Sequence, residues 1–392
     1  MTDRPALVLP PPPFLSDPAL QAVLAALPEA RLVGGCVRDA LAGRRDVADI
    51  DLATPRLPAS VMQALAAAGL RGVATGLDHG TITAIADHRG FEVTTLRRDV
   101  ETDGRHAVVA FTDDWQVDAA RRDFTINAMS MDAGGAVFDY FAGLADLRAG
   151  RVRFVGSAAT RIAEDALRIL RFFRFQTRYG QGAPDAEAVA AIEAAVPSLA
   201  RLSCERVWSE LKRILAAPDP MAAVRLMERL GVLAAVLPEG AAPDRLGRLV
   251  AGFAPSDPLL RLAALLDGDA AALAERLRLS GAERERLLAL RGPNALPADA
   301  DDAMVLRALA DTPREIIVGR LALATHATLA ARAEALPIPV FPLQGRDVQA
   351  AGIPAGPQIG EMLRAIRGWW LAGGCVADAA ACRAELARRL AG

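Results

Sequence analysis

Lysine is all but absent from this sequence. Lys+Arg total 45, yet the only lysine is Lys212, so the basic charge is carried by arginine. Histidine is scarce too. His79, His88, His106 and His326 form neither a His-Glu-x-x-His motif nor a His-Asp doublet. That argues against a histidine-built metallohydrolase, and no accompanying phosphatase or phosphodiesterase activity is expected. The four cysteines, Cys36, Cys204, Cys375 and Cys382, lie far apart with no Cys-x-x-Cys, as expected of free thiols in a reducing cytosol. No stretch reaches the ~18 uninterrupted apolar residues of a membrane span, so no membrane partner is expected. The N-terminus carries Asp3 and Arg4, then Pro10 to Pro13, and lacks an apolar signal core. The expected location is therefore cytoplasmic.

What is present is 392 residues, enough for two to four compact units at roughly 100–200 residues each. Hydrophobic residues make up 52%, inflated by alanine, and net charge is −2. Such a chain is too apolar and too nearly neutral for wholesale disorder. It is no polycation either, so any nucleic-acid contact needs a local basic surface. Built from arginine, that surface can meet phosphates with planar, bidentate guanidinium contacts. No obligate protein partner is evident.

The patterning predicts a mixed α/β region followed by an all-helical one. Residues 1–16 read as a loose proline-rich leader, and 17–27 as a helix. Arg31-Leu-Val-Gly-Gly reads as a strand entering a turn, with a helix opening at Val37. Asp49-Ile-Asp-Leu-Ala-Thr alternates acidic and apolar positions, as a strand with one polar face does. A helix is expected over 58–68, strands over 81–86 and 91–97, and a polar loop over 98–113. A further helix and strand pair close the region near Val155. Beyond Ala158 helical periodicity dominates. The helix around Leu167, Leu170 and Phe173 reads as apolar nearly all round. Further helices are expected near 185–198, 204–216, 219–231, 244–253, 257–278, 281–291, 301–310, 313–332 and 358–368, with one more before the C-terminus. Five segments result: a leader and first helix (1–28), an α/β head (29–156), and three helical stretches (157–216, 217–335 and 336–392).

Four motifs carry chemistry. In Asp49-x-Asp51, residues i and i+2 of a strand share a face. Paired carboxylates repel, and hard oxygen ligands of this kind suit Mg²⁺, whose other ligands are water and substrate phosphates. Alone, the pair also fits a solvated strand face. Gly34-Gly35-Cys36-Val37-Arg38-Asp39 lies just upstream. Two glycines between strand and helix let backbone approach a ligand, helix-start amides can hold phosphate oxygens, and Arg38 can pair with a triphosphate. One element for phosphates and the next strand for the bridging metal is the layout of nucleotidyl transfer. Arg121-Arg122-Asp123-Phe-Thr-Ile-Asn127 precedes a strand-like apolar run. Beside a triphosphate, Arg122 is a candidate phosphate ligand, and Asp123 and Asn127 are candidates to order the site or bind a ribose. Last comes Glu164-Asp165-Ala-Leu-Arg168-Ile-Leu-Arg171-Phe-Phe-Arg174. On one helix Asp165 and Arg168 are neighbours, either as a salt bridge or as a reader of bases. A carboxylate accepts from an exocyclic amine and a guanidinium donates to a ring acceptor. Cytosine and adenine offer that pattern; uracil and guanine place a carbonyl against the carboxylate, a costly mismatch. Arg171 lies partly round the helix, and Arg174 on roughly the opposite side from Arg168.

Taken together and in order, these motifs and the strand Glu92-Val-Thr-Thr-Leu-Arg97 resemble the bacterial class II tRNA nucleotidyltransferase and poly(A) polymerase family. The resemblance is strongest over residues 30–215 and reaches Glu205-Arg-Val-Trp-Ser-Glu-Leu-Lys212. It implies a polymerase-β-like nucleotidyltransferase head, then helical neck, body and tail. It implies Mg²⁺ on Asp49 and Asp51, with Glu92 in the place of a third acidic residue. Gly34, Gly35, Arg38 and Arg122, with Asp123 and Asn127, would bind the nucleotide's phosphates and sugar. Asp165, Arg168, Arg171 and Arg174 would form the base site. The segment from Asp99 to Thr112, with Asp103-Gly-Arg105, resembles the family's loop for switching from C to A addition.

The implied activity is template-independent, Mg-dependent addition of CCA to the 3′ end of tRNA from CTP and ATP. The alternatives are a poly(A) polymerase or an enzyme adding only CC or only A. The Ala-rich C-terminus, without a basic extension, argues against the first, and the retained loop against a CC-only enzyme. The stretch Phe341-Pro-Leu-Gln-Gly345-Arg-Asp347 to Gly352-Ile-Pro-Ala-Gly356-Pro-Gln-Ile-Gly360 is similar to a tail segment of these enzymes; the glycines flanking Ile-Pro-Ala can present amides to phosphate or simply turn between helices. Trp369-Trp370 fits either core packing or stacking on RNA.

Overall fold

The computed structural model describes residues 4–44, 47, 49–102, 107–253, 255–293 and 296–391. It divides into two compact units, Met1–Ile214 with Ala222–Val236, and Leu215–Met221 with Leu237–Gly392.

Among the described residues the first unit contains ten strands: β1 (Leu7–Val8), β2 (Arg31–Val33), β3 (Asp51–Thr54), β4 (Arg71–Gly76), β5 (Thr81–Ala86), β6 (Arg89–Thr95), β7 (Arg97–Thr102), β8 (Ala107–Phe111), β9 (Ser130–Met131) and β10 (Ala136–Phe138). Eight of them form one sheet in the order β1-β10-β9-β2-β3-β6-β5-β4. Within it β3 and β6 run parallel, which sets Asp51 beside Glu92. On its other side β3 runs antiparallel to β2, Asp51 opposite Val33. β5 and β6 alternate buried and open residues and meet at Asp87-His88, a two-residue turn with both φ positive (47° and 59°).

Helices α1 (Pro18–Ala26), α2 (Gly35–Leu41), α3 (Pro58–Ala67), α4 (Trp115–Ala120) and α5 (Gly143–Arg148) accompany the strands. α1 starts where Asp17 accepts the Ala19 N–H at 2.9 Å and Pro18 presets the first turn. Leu20, Val23, Leu32, Val37, Leu52, Leu65, Ile82 and Val93, all buried, make up much of this core. Then follow α6 (Ala158–Glu164), α7 (Leu167–Tyr179), α8 (Ala186–Ala195), α9 (Cys204–Leu215), α10 (Met221–Arg229) and α11 (Val232–Val236). Stacked and edge-on rings of Phe124, Phe154, Phe172 and Phe175, with centroids 4.7–6.3 Å apart, pack α7 against the RRDF segment.

Several expectations are corrected. Part of the expected leader is an edge strand: the Ala6 and Leu9 N–H groups donate to Val137 and Gly135 carbonyls, and Leu15 is buried. The expected loop over 98–113 is largely a β7–β8 hairpin, because cross-strand pairing (Arg97 with Phe111, Arg98 with Ala110) satisfies its backbone. Asp103 to His106 lie outside the described residues. Within the RRDFTIN motif Thr125–Asn127 form a 3₁₀ turn, and the apolar run that follows holds only the two-residue strand β9. α7 is not apolar all round; it buries seven residues and turns Arg168, Arg171 and Arg174 to one open side.

The second unit is built from α12 (Pro243–Phe253), α13 (Pro258–Leu265), α14 (Ala270–Arg276), α15 (Gly281–Arg291), α16 (Asp302–Asp311), α17 (Arg314–Leu323), α18 (Ala327–Ala335), α19 (Gly345–Ala350), α20 (Pro357–Ala372) and α21 (Ala379–Ala391). The single helix expected over 257–278 is two, because Asp269 caps a new start by accepting the Ala271 N–H at 2.7 Å. The one expected over 313–332 is also two, broken where Thr325 takes φ +62°. Arg261, fully buried, donates to the carbonyls of Leu215, Ala217 and Pro218. Trp370 is buried against Phe341 and donates to the Ala377 carbonyl at 3.1 Å, which settles it as packing. All four cysteines are free thiols, as expected.

Candidate active site

β2 is followed by Gly34, whose φ of +72° only glycine takes without strain. A Cβ there would also stand 3.4 Å from Arg122 Nη1. The turn leads straight into α2, whose Arg38 is buried. Arg38 donates from Nη1 to Asn127 Oδ1 at 2.5 Å and from Nε to Asp39 Oδ1 at 3.1 Å. β3 returns beside β2 and begins at Asp51. Asp49 precedes the strand, so strand alternation does not by itself place the two carboxylates on one face, as the sequence pattern had suggested. The cleft does: Asp49 and Asp51 both line a cavity of about 630 Å³.

Each of the expected nucleotide residues lines that same cavity. Arg122 lies against Gly34 and donates to Asp118 Oδ2 at 3.2 Å, while Arg121 donates to Asp118 Oδ1 at 2.9 Å. Asp118 is buried, which opposes its ionisation, but the two guanidiniums win and hold its carboxyl below the usual range. Asp123 behaves alike. It accepts from Phe124 N–H (2.9 Å), Asn127 Nδ2 (3.0 Å) and Arg171 Nε (2.8 Å). Burial pushes its pKa up, and Arg171 with these donors brings it down further than burial raises it. A continuous hydrogen-bond path thus runs Arg38–Asn127–Asp123–Arg171, from the glycine turn to the α7 helix.

The base-reading motif is arranged differently from expectation. Asp165 does not sit in a helix; it is the extended residue (φ −151°) between α6 and α7. It forms no pair with Arg168. Its Oδ1 accepts the Leu167 N–H at 3.0 Å and its Oδ2 accepts Arg206 at 2.6 Å. Arg168 instead donates to Glu164 Oε2 at 2.5 Å and to the Arg161 carbonyl at 2.9 Å. Leaving the helix frees Asp165 from its periodicity, so Asp165, Arg168, Arg171 and Arg174 all face one cleft. Arg174, expected on the far side, reaches it while donating to Glu210 at 3.2 Å. Partners fix these side chains, yet both Asp165 oxygens keep acceptor capacity and the guanidiniums keep unused N–H groups.

Sequence reasoning left five cleft residues unassigned: Arg121, Leu167, Phe175, Arg206 and Arg213. Arg206 and Glu210, at i and i+4 of α9, were within the Glu205-Arg-Val-Trp-Ser-Glu motif; that spacing places them on one helix face, and they hold Asp165 and Arg174.

A divalent cation fits the floor of this cleft. Atoms crowding Asp51 desolvate it, the carboxylates of Glu92 and Asp49 repel it, and together they raise its pKa against the pull of Arg122. Such crowding is what a bound cation relieves. Among the described residues no three His, Cys, Asp or Glu side chains gather closely enough to hold a metal alone, and Glu92 does not line the cleft. Two carboxylates with substrate phosphates completing the shell is the arrangement these residues suit.

A carboxylate pair faced by guanidiniums at a glycine turn is what transfer of a phosphate-bearing group demands, and the fold around it is that of a nucleotidyltransferase, a class that uses a divalent metal. Residues 30–153 match the Poly A polymerase head domain, and residues 183–242 the probable RNA and SrmB- binding site of polymerase A. The chain is 39% identical over 363 residues to the mouse (Mus musculus) mitochondrial CCA tRNA nucleotidyltransferase 1, covering 87% of this chain and 82% of that protein. It is 34% identical over 376 residues to the CCA-adding enzyme of Geobacillus stearothermophilus, 86% of this chain and 87% of the other. The crystal structure of the Bacillus stearothermophilus CCA-adding enzyme in complex with CTP superposes with a TM-score of 0.75 at 27% identity, over 96% of this chain and 98% of that one. The chain belongs to the CCA-adding tRNA nucleotidyltransferase family.

Proposed function

We propose that this protein completes the 3′ end of tRNA with C, C and A, taking CTP and ATP and releasing pyrophosphate. One observation carries the reading: the Asp49/Asp51 pair and the Asp165/Arg168 reader line a single cleft, in a chain related over most of its length to CCA-adding enzymes.

Asp49 and Asp51 are the residues that would hold Mg²⁺, which when bound stabilises charge on the phosphoryl oxygens and the leaving pyrophosphate. Arg38 and Arg122, each braced by a carboxylate, clamp the triphosphate, and Gly34 and Gly35 let it approach the backbone. Asp123 and Asn127 order the sugar side. Asp165 accepts from the exocyclic amine of cytosine or adenine while Arg168 donates to the adjacent ring nitrogen. Either base meets the same polar edge, so no template is needed. Glu92 deepens the negative potential beside Asp51 from the neighbouring strand. No described helix is long and apolar enough to cross a membrane. Four free thiols suit a reducing compartment, and we place the protein in the cytoplasm.

Asp51→Asn tests the assignment. It keeps the shape and removes one of the pair's two charges, and should cut nucleotide addition by about 10²–10³ or more with a melting temperature no lower than that of the unmodified protein. Addition within threefold of the unmodified enzyme would overturn the metal role.

A further inference from the structure

We propose that a second cavity of the first unit, rimmed by Arg44, Arg148 and Arg178, holds backbone phosphates of the RNA substrate away from the catalytic cleft. The inference rests on the reading that tRNA is that substrate. The cavity measures about 400 Å³, and none of its lining residues lines the catalytic cleft.

The arginines of the catalytic cleft are tied to carboxylates: Arg38 to Asp39, Arg122 to Asp118, Arg171 to Asp123 and Arg206 to Asp165. The three of the second cavity are not. Arg44 follows α2, Arg148 ends α5 and Arg178 lies in the last turn of α7, and among the described residues none has an ion pair or side-chain hydrogen bond, nor does a carboxylate line the cavity. In a chain of net charge −2, this places uncompensated positive charge from three separate elements around one hollow.

All three guanidinium side chains are exposed. An enclosed small anion calls for buried donors, whereas a sugar–phosphate backbone stays partly in water and is met by exposed ones. Leu41, Leu144 and Leu147 give the floor an apolar surface against which ribose edges can rest.

The position also fits. Tyr179 is buried and forms the wall; its ring centre is 5.4 Å from the Arg44 guanidinium and 4.4 Å from that of Arg38, which lines the catalytic cleft. Its hydroxyl donates to Asp39 Oδ1 at 2.5 Å. The two cavities are thus one aromatic ring apart, within reach of a single polynucleotide whose end occupies the cleft.

The test is the full-length triple variant Arg44→Gln, Arg148→Gln and Arg178→Gln, assayed on tRNA lacking CCA between 50 and 200 mM salt. Each phosphate contact contributes roughly 0.7–0.9 to the slope of log affinity against log salt. The expected result is a flattening by about two, a rise in KM for tRNA of tenfold or more at low salt, and kcat and KM for CTP within twofold. The matching triple lysine variant should restore most of the slope. An unchanged KM for tRNA and an unchanged slope, or a KM for CTP that rises as much as that for tRNA, would overturn the proposal. If the triple variant unfolds, the three single variants, each expected to flatten the slope by roughly 0.7–0.9, carry the test. Failure of the underlying functional reading looks different: the unmodified protein would then extend no tRNA at all.

Discussion

Asp123→Asn removes one charge from the middle of the hydrogen-bond path through the cleft and leaves the shape in place. Asp123 is 7% exposed and accepts from three partners: Phe124, Asn127 and Arg171. A charge-assisted hydrogen bond contributes about 1.5–3 kcal/mol, and breaking a fully buried ion pair costs about 3–5 kcal/mol. Arg171 keeps 32% of its side chain exposed, so water recovers part of the loss. The expected destabilisation at pH 7 is therefore about 2 kcal/mol. Its pH dependence has a definite sign. Burial alone would raise the Asp123 pKa, but Arg171 and the other donors hold it below the ordinary value. The stabilisation is thus complete above the unfolded carboxylate pKa of about 3.9 and disappears as pH falls through the lower folded value. The gap between the unmodified protein and the variant should be flat from about pH 5 to 8 and close below about pH 4. Activity should respond through Asn127, which Asp123 orients and which in turn holds Arg38; KM for CTP should rise about tenfold, with kcat less affected. Urea unfolding across this pH range and steady-state kinetics read both effects. A variant as stable as the unmodified protein at pH 7, with unchanged KM, would refute the reasoning.

Arg206→Met removes the partner that holds Asp165 at 2.6 Å. Preference for CTP over UTP should fall about tenfold in a competition assay, and an unchanged ratio would contradict the positioning role. Arg261→Met leaves the carbonyls of Leu215, Ala217 and Pro218 without their donor in a site closed to water. A loss of about 3 kcal/mol or more is expected in thermal unfolding, with the nucleotide affinity of the first unit unaltered. Gly34→Ala places a side chain at φ +72° against Arg122. It should raise KM for CTP severalfold and cost about 1–2 kcal/mol; a variant indistinguishable from the unmodified protein would show that the turn tolerates a Cβ. Chelation by EDTA should abolish addition and Mg²⁺ restore it, since Asp49 and Asp51 are the residues fitted to the ion; full activity under chelation would exclude that fit.

Much of the head and nearly all of the cleft were legible in the sequence, because their signals are local. Glycines at 34 and 35, alternating residues at 81–86 and a carboxylate pair at 49 and 51 announce their geometry within a few residues. The features missed depend on partners distant in sequence. Leu7–Val8 is a strand only because β10 lies beside it. Arg71–Gly76 carries two glycines and weak strand propensity, and pairing with β5 makes it an edge strand. The break at Asp267-Gly-Asp269 did carry a turn signal, whereas Thr325 at φ +62° carries none, since β-branched residues rarely take that conformation. Asp165 is the instructive case for the site. Periodicity alone continues the helix through it and predicts a pair with Arg168. The chain instead leaves the helix for one residue, and the partner that fixes Asp165 lies 41 positions away at Arg206.

The most direct measurement uses a tRNA transcript that lacks its last three nucleotides, incubated with the protein and Mg²⁺ in CTP, ATP, both, or all four nucleotides, with product lengths read on a sequencing gel. Two additions with CTP alone and three with CTP and ATP together, then no further growth, is the predicted result. A long ladder with ATP, or arrest after two additions in the presence of ATP, would contradict it.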